Sequence, residues 1–285
     1  MLNKSHIFNS TPFSAFLFFC LSVFAACQRP QQGGSPTVQA EADGRPAQAA
    51  SAPASSDDRF YEMRIYYAAP GKLEDLNARF RNHTMGLFSK HGMTNIGYWT
   101  PIENPENKLV YVLAYPSREA RDASWKAFGA DPQWQTAQAA SEEAGRLVAR
   151  VDSIYMKATD YSPAIRPSTS GAPQVFEMRT YTASPGNLNN LHARFRNHTV
   201  GLFSNYGMSH VGYWTPVDAD KGADNTLVYI LAHRSEDAAK KSFDAFRQDP
   251  TWVKAREASE AQAGGSLTTK VESVFMVPTD YSPTR

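Results

Sequence analysis

Cysteine is almost missing from this 285-residue chain: there are two, Cys20 and Cys27, and both precede the part able to fold. A disulfide, a thiolate metal site and a cysteine nucleophile are thereby excluded from that part. An excess of charge of either sign is missing too. Formal net charge is +1, and without the first 26 residues 28 basic side chains face 28 acidic ones, which leaves no electrostatic footprint for nucleic acid. No glycine-rich phosphate loop, serine nucleophile elbow or zinc-protease helix occurs. The apolar run from Phe13 to Ala26 is short for a bilayer span.

That run, behind Lys4, reads as a signal peptide over residues 1–26. Its end, Phe24-Ala25-Ala26-Cys27, resembles a bacterial lipobox, with Phe24 where leucine is usual. The expectation is lipidation of Cys27; cleavage after Ala25 with a free thiol is the alternative. Residues 27–58 hold glutamine, proline, glycine, serine and alanine with a few charges, too little apolar surface to fold, and are expected to be a disordered tether. The localisation this implies is the bacterial cell envelope, lipid-anchored and facing the periplasm or cell surface, with a soluble periplasmic protein as the alternative. The membrane would be met through the lipid alone.

What is present is a duplication. Tyr61-Glu62-Met63-Arg64, Ala78-Arg79-Phe80-Arg81-Asn82-His83-Thr84 and Gly97-Tyr98-Trp99-Thr100-Pro101 recur as Phe176-Glu177-Met178-Arg179, Ala193 to Thr199 and Gly212 to Pro216, at a constant offset of 115 residues. Each copy starts with an alternating strand (Phe60 to Tyr67), turns at Pro70-Gly71, and continues as a helix whose apolar stripe is Leu73, Leu76, Phe80 and Leu87. Strands follow at Met93 to Pro101 and Lys108 to Tyr115. A helix capped by Ser117, a second opened by Asp131-Pro132, and a last strand at Val151 to Met156 complete the copy. The order β-α-β-β-α-β is the ferredoxin-like unit. Its sheet has one bare face, so the fold class expected is α+β, with two tandem ferredoxin-like repeats forming an intramolecular dimeric α+β barrel. The domains are residues 59–163 and 174–285, joined by a linker at 164–173. Asp160-Tyr161-Ser162-Pro163 after the first is matched by Asp280-Tyr281-Ser282-Pro283 after the second.

Strand parity nominates a binding site. With Tyr61, Met63, Ile65, Phe176 and Met178 turned toward the helices, Glu62, Arg64 and Tyr66 with Glu177, Arg179 and Tyr181 would point into the space between the sheets. There they would either satisfy one another across the pseudo-twofold as a polar plug, or line a pocket whose arginines grip an anionic or carbonyl-bearing ligand. His83 and His198 are the candidate catalytic residues. Steps of 100° per residue place His83 at the margin of the apolar stripe, where it serves as a general base or ligand in a helix–strand crevice or packs there through hydrogen bonds. No acid stands at helical spacing to make either histidine half of a metal pair, so no metal and no cofactor is expected.

The Glu-Met-Arg strand, the Pro-Gly turn, the His-Thr-x-Gly-Leu-Phe run (His83 to Phe88, His198 to Phe203) and Gly-Tyr-Trp-Thr-Pro together resemble the NIPSNAP family, over about residues 60–160 and 175–280. The resemblance implies the dimeric α+β barrel. Eukaryotic members are mitochondrial and linked to vesicle handling, protein binding and mitophagy signalling; the lipobox-like leader departs from that pattern, and the family offers no settled catalytic residues. Function is therefore expected to be binding of an unknown small molecule or envelope protein by a non-enzymatic module. The alternative is a cofactor-free monooxygenase or isomerase acting in the barrel interior, with Arg64 or Arg179 holding substrate and His83 or His198 moving a proton. A haem-binding barrel is a third possibility.

Overall fold

The computed structural model describes residues 57–169 and 174–285; the signal segment, Cys27, nearly all of the tether and the end of the linker lie outside the described residues. Repeat one (lobe one) contains β1 (Phe60–Ala68), α1 (Leu73–Arg79), a π-helical turn (Phe80–Thr84), α2 (Met85–Lys90), β2 (Thr94–Pro101), β3 (Lys108–Tyr115), α3 (Arg118–Ala130), α4 (Pro132–Ser141) and β4 (Val148–Ala158). Lobe two repeats them as β5 (Val175–Ala183), α5 (Leu188–Arg194), a π-turn (Phe195–Thr199), α6 (Val200–Asn205), β6 (Ser209–Pro216), β7 (Thr226–His233), α7 (Glu236–Gln248), α8 (Pro250–Ala263) and β8 (Thr268–Pro278). The local signals hold. Ser117 accepts from the Ala120 amide at 3.2 Å to start α3, and Asp131 accepts from that of Gln133 at 2.8 Å with Pro132 in the first turn of α4.

The two sheets do more than face each other. They join edge to edge into one closed barrel of order β1-β3-β2-β8-β5-β7-β6-β4. The seams are short antiparallel pairings, Trp99 to Pro101 against Pro278 to Met276 and Met156 to Ala158 against Pro216 to Trp214. Closure leaves no free edge among the described strands for another chain to extend.

The repeated Asp-Tyr-Ser-Pro segments lock the seams by crossing between lobes. Asp160, just past β4, takes Arg196 of the second π-turn at 2.6 and 2.7 Å, and Asp280, past β8, takes Arg81 of the first at 2.6 and 2.8 Å. Behind them, Tyr281 donates to Asn77 and Tyr161 bonds His192, both at 2.8 Å. Each repeat thus ends in a strap that pins the first helix of the other.

The parity expected for β1 and β5 is reversed. Tyr61, Met63, Phe176, Trp99, Trp214, Val112 and Ile230 share one apolar cluster inside the barrel, with Ile65 and Met178 against it. Glu62, Arg64, Tyr66, Glu177, Arg179 and Tyr181 face the helices instead. The reason lies in the partners available: α3 brings Arg121 and Trp125 to Glu62, whereas the interior offers valine, isoleucine, methionine and tryptophan, against which a carboxylate would be unpaired. β3 shows why alternation alone misleads. Val110, Val112 and Ala114 go inward, Leu109, Tyr111 and Leu113 go under the helices, and both sets are buried.

Candidate functional site

The Arg-Asn-His-Thr motif forms the π-turn in both lobes. The Met85 amide reaches back five residues to the Phe80 carbonyl, and the Thr84 hydroxyl caps the Arg79 carbonyl at 3.2 Å. Thr199 does the same for Arg194 at 3.2 Å. Such single wide turns insert one residue into a helix and recur at functional sites. Here the insertion alters the angular step, so His83 and His198 are exposed rather than packed at the stripe's margin.

Two cavities open around that turn in lobe one. The larger, about 1280 Å³, is a groove between α1–α2 and α4 with His83 and Asn82 on its lip and Ala78, Gly86, Ala137 and Ala140 along its walls. The smaller, about 220 Å³, lies between the sheet and the helices, walled by Tyr66, Phe80, Phe88, Trp125, Phe128 and Trp134. Arg79 lines both. Its side chain is 4% exposed, its Nη1 donates to Glu142 at 2.9 Å and Ser141 at 3.2 Å, and its guanidinium lies 5.2 Å from the Trp134 ring. Its Nε–H has no acceptor. Gly129 of α3 completes the wall of the small cavity.

Behind Trp125 lies the buried carboxylate of Glu62, 0% exposed. Its Oε1 accepts from Arg64 at 2.6 Å, Arg121 at 2.9 Å and Ser153 at 3.0 Å. Its Oε2 accepts from Arg121 and the Trp125 indole at 3.0 Å and from Tyr115 at 3.1 Å. Burial alone would raise its pKa; the hydrogen bonds and charges of Arg121 and Arg64 outweigh burial and hold it below the ordinary value. Arg64 also stacks on Trp125 at 4.3 Å. In lobe two Glu177 takes Arg179, Ser273 at 2.6 Å and the His233 Nε2 at 3.2 Å. Ser117 and Ser235 cap α3 and α7, so Arg121 and Trp125 correspond to Ala239 and Phe243.

Of the residues nominated from sequence, Tyr66 lines the small cavity and His83 the groove, while Glu62 and Arg64 form the charged layer behind Trp125. They share a wall, not a pocket between the sheets. Glu177, Arg179 and Tyr181 build the counterpart layer under α7, where Arg179 lies 4.5 Å from the Phe243 ring. Arg79, Trp125, Trp134 and Gly129 are not among the site residues nominated from sequence, where such tryptophans read as core. Arg79 was within reach, because it belongs to the duplicated motif; nothing local marks Gly129.

Comparison with known proteins follows the duplication. The NIPSNAP family model matches two segments, residues 61–163 and 176–283. Protein NipSnap homolog 3B of Mus musculus is 26% identical over 240 residues, covering 82% of this chain and 89% of that protein. Protein NipSnap homolog 3A of Homo sapiens is 23% identical over 243 residues, at 82% and 89%. Among solved structures, a candidate monooxygenase of Fusobacterium nucleatum superposes with a TM-score of 0.53 at 10% identity, over 78% of this chain and 92% of its own. One from Lactobacillus acidophilus gives 0.51 at 9%, over 78% and 94%. At such identity the likeness is one of fold.

Proposed function

The chain belongs to the NIPSNAP family, and on that premise we propose that it is a small-molecule binding module, with the ligand held in lobe one under α3 and α4 and the barrel carried at a bacterial cell envelope by a lipid on Cys27. One observation carries the binding site: the nearly buried Arg79 lines both the aromatic cavity and the groove, and like Arg64 behind it keeps an Nε–H without an acceptor. A buried donor left unpaired is unfavourable, and a ligand acceptor relieves it. An enclosed aromatic wall beside one oriented polar group is the usual make-up of a ligand site.

The second reading, cofactor-free oxidation or isomerisation, draws on the monooxygenase names of the two fold neighbours. It needs a base beside the bound ring. His83 stands on the exposed lip of the groove, outside the aromatic cavity, which favours binding over chemistry.

Native mass spectrometry of the full chain, isolated from its own cells, tests the module. A retained small-molecule mass that disappears in Gly129→Leu supports it, and a chain that is always empty shifts the weight to a protein partner. For the anchor, incorporation of labelled palmitate that is lost in Cys27→Ala is expected; an unlabelled chain free in the periplasm would replace the anchored form by the soluble one.

A further inference from the structure

We propose that the lobe-one cavity takes a ring-bearing anion, its ring among the aromatic side chains and its acidic group on Arg79, with the remainder lying along the groove past His83. This rests on the binding-module proposal and names the ligand class for it.

Size sets the first constraint. A dry cavity of roughly 150 Å³ holds one benzene, so about 220 Å³ suits a single substituted ring. The walls fit that load. Phe88 and Trp125 meet edge-on at 5.3 Å, and Phe128 and Trp134 lie tilted at 4.4 Å, an aromatic cluster that a further ring extends.

Charge sets the second. Arg64, Arg79 and Arg121 face two carboxylates in this wall, Glu62 and Glu142. The third acid in reach, Asp122 on Arg121, is 64% exposed and screened by water. On the groove side Asp75 is paired with Lys72, Lys90 with Asp131, and Glu143 is exposed. The wall therefore carries one guanidinium more than it has buried carboxylates, with Arg64 and Arg121 sharing Glu62; the Nε–H groups of Arg64 and Arg79 both lack an acceptor, and Arg79 is the one of the two that lines both cavities. Lobe two repeats the buried arginine, with Arg194 on Glu260 beside Trp252 and its own Nε–H unpaired, but not the rest of the arrangement. Arg121 is Ala239 there and Gly129 is Arg247, so it has neither the additional guanidinium nor the bare helix position.

The full chain, titrated with 3-phenylpropionate and with its uncharged counterpart 3-phenylpropanol, gives the test by tryptophan fluorescence and calorimetry. Wild type is compared with Gly129→Leu and Arg79→Lys. Gly129 lines the small cavity and is exposed, with open space where a Cβ would stand, so Gly129→Leu is accommodated and adds bulk at the cavity rim. The anion should bind about tenfold or more tighter than the alcohol. Arg79→Lys should erase most of that preference, and Gly129→Leu should abolish both. Equal affinities that Gly129→Leu abolishes would overturn the anion while leaving the cavity as the site. No binding by wild type, or binding indifferent to Gly129→Leu, would overturn the proposal, and the retained mass would then judge the module separately.

Discussion

The two lobes agree in skeleton and differ in what titrates. Both have the π-turn, the Glu–Arg pair under a helix and the crossing strap. Yet lobe two has His192, His210 and His233 where lobe one has Asn77, Asn95 and Tyr115. The partners are conserved between copies: Asn77 and His192 take a strap tyrosine, Asn95 and His210 bond Tyr98 and Tyr213, and Tyr115 and His233 reach the buried glutamate. After duplication the hydrogen bonds were kept while the side chains that make them were changed. Lobe one gained a different asymmetry, the second guanidinium on Glu62 beside the cavity.

The largest effect should come from breaking that asymmetry. Glu62→Gln leaves two largely buried guanidiniums without this carboxylate, Arg121 keeping only the exposed Asp122, and is expected to cost about 3 kcal/mol in denaturant unfolding. Glu177→Gln strips one guanidinium and should cost about half as much; equal losses would mean that Arg121 adds nothing. The pH profile sharpens the point. Burial pushes both carboxyls up, and their hydrogen bonds, from Arg121 to Glu62 and from His233 to Glu177, together with the arginine charges, bring them below the ordinary 4.5. Their stabilisation is therefore complete above that value and declines as pH falls through the lower folded values. Glu62→Gln should flatten its share of this acid limb.

A smaller effect, at milder pH, belongs to lobe two alone. Burial pushes His210 down to about 4 from an ordinary 6.5. A histidine depressed in the fold takes up its proton first in the unfolded chain, so its contribution is present above pH 6.5 and is lost as pH falls from there toward 4. The whole span amounts to no more than about 3.5 kcal/mol. His210→Asn, which copies lobe one, should remove that slope from thermal melts, and Asn95→His should create one in lobe one. His192 is lowered as well, by burial and then by Arg196, so adding His192→Asn should flatten the profile further. A slope unchanged in the double variant would place the acid sensitivity elsewhere.

What could be read from sequence was what local chemistry determines. Ser117, Asp131-Pro132 and the apolar run of β3 marked their elements, and the constant offset specified two equal lobes before any pairing was known. The facing of β1 was not local: Tyr61 and Tyr66 make either side plausible, and the decision came from Arg121 and Trp125, about sixty residues on. His83 was misplaced for a related reason. A single inserted residue changes the angular step, and Arg-Asn-His-Thr carries no mark of it. The Asp-Tyr-Ser-Pro repeat was visible as a pattern, but that each copy serves the opposite lobe emerged only when the barrel closed.

The smallest effect asks whether the lobes are energetically separate. Thr84→Val and Thr199→Val each leave a buried arginine carbonyl without its hydroxyl, at about 1 kcal/mol apiece. If the π-turn is common skeleton, the two losses should match. Distant, independent sites add to within roughly 0.5 kcal/mol, and the double variant measures departure from that sum. These turns are a particular place to look for departure, because Arg81 and Arg196 sit in them and grip the opposite strap. A double variant less damaging than the sum would mean that loosening one turn already frees the other through its strap. A simple sum would mean that the straps close the barrel without coupling its halves, and a ligand in lobe one would then leave lobe two unchanged.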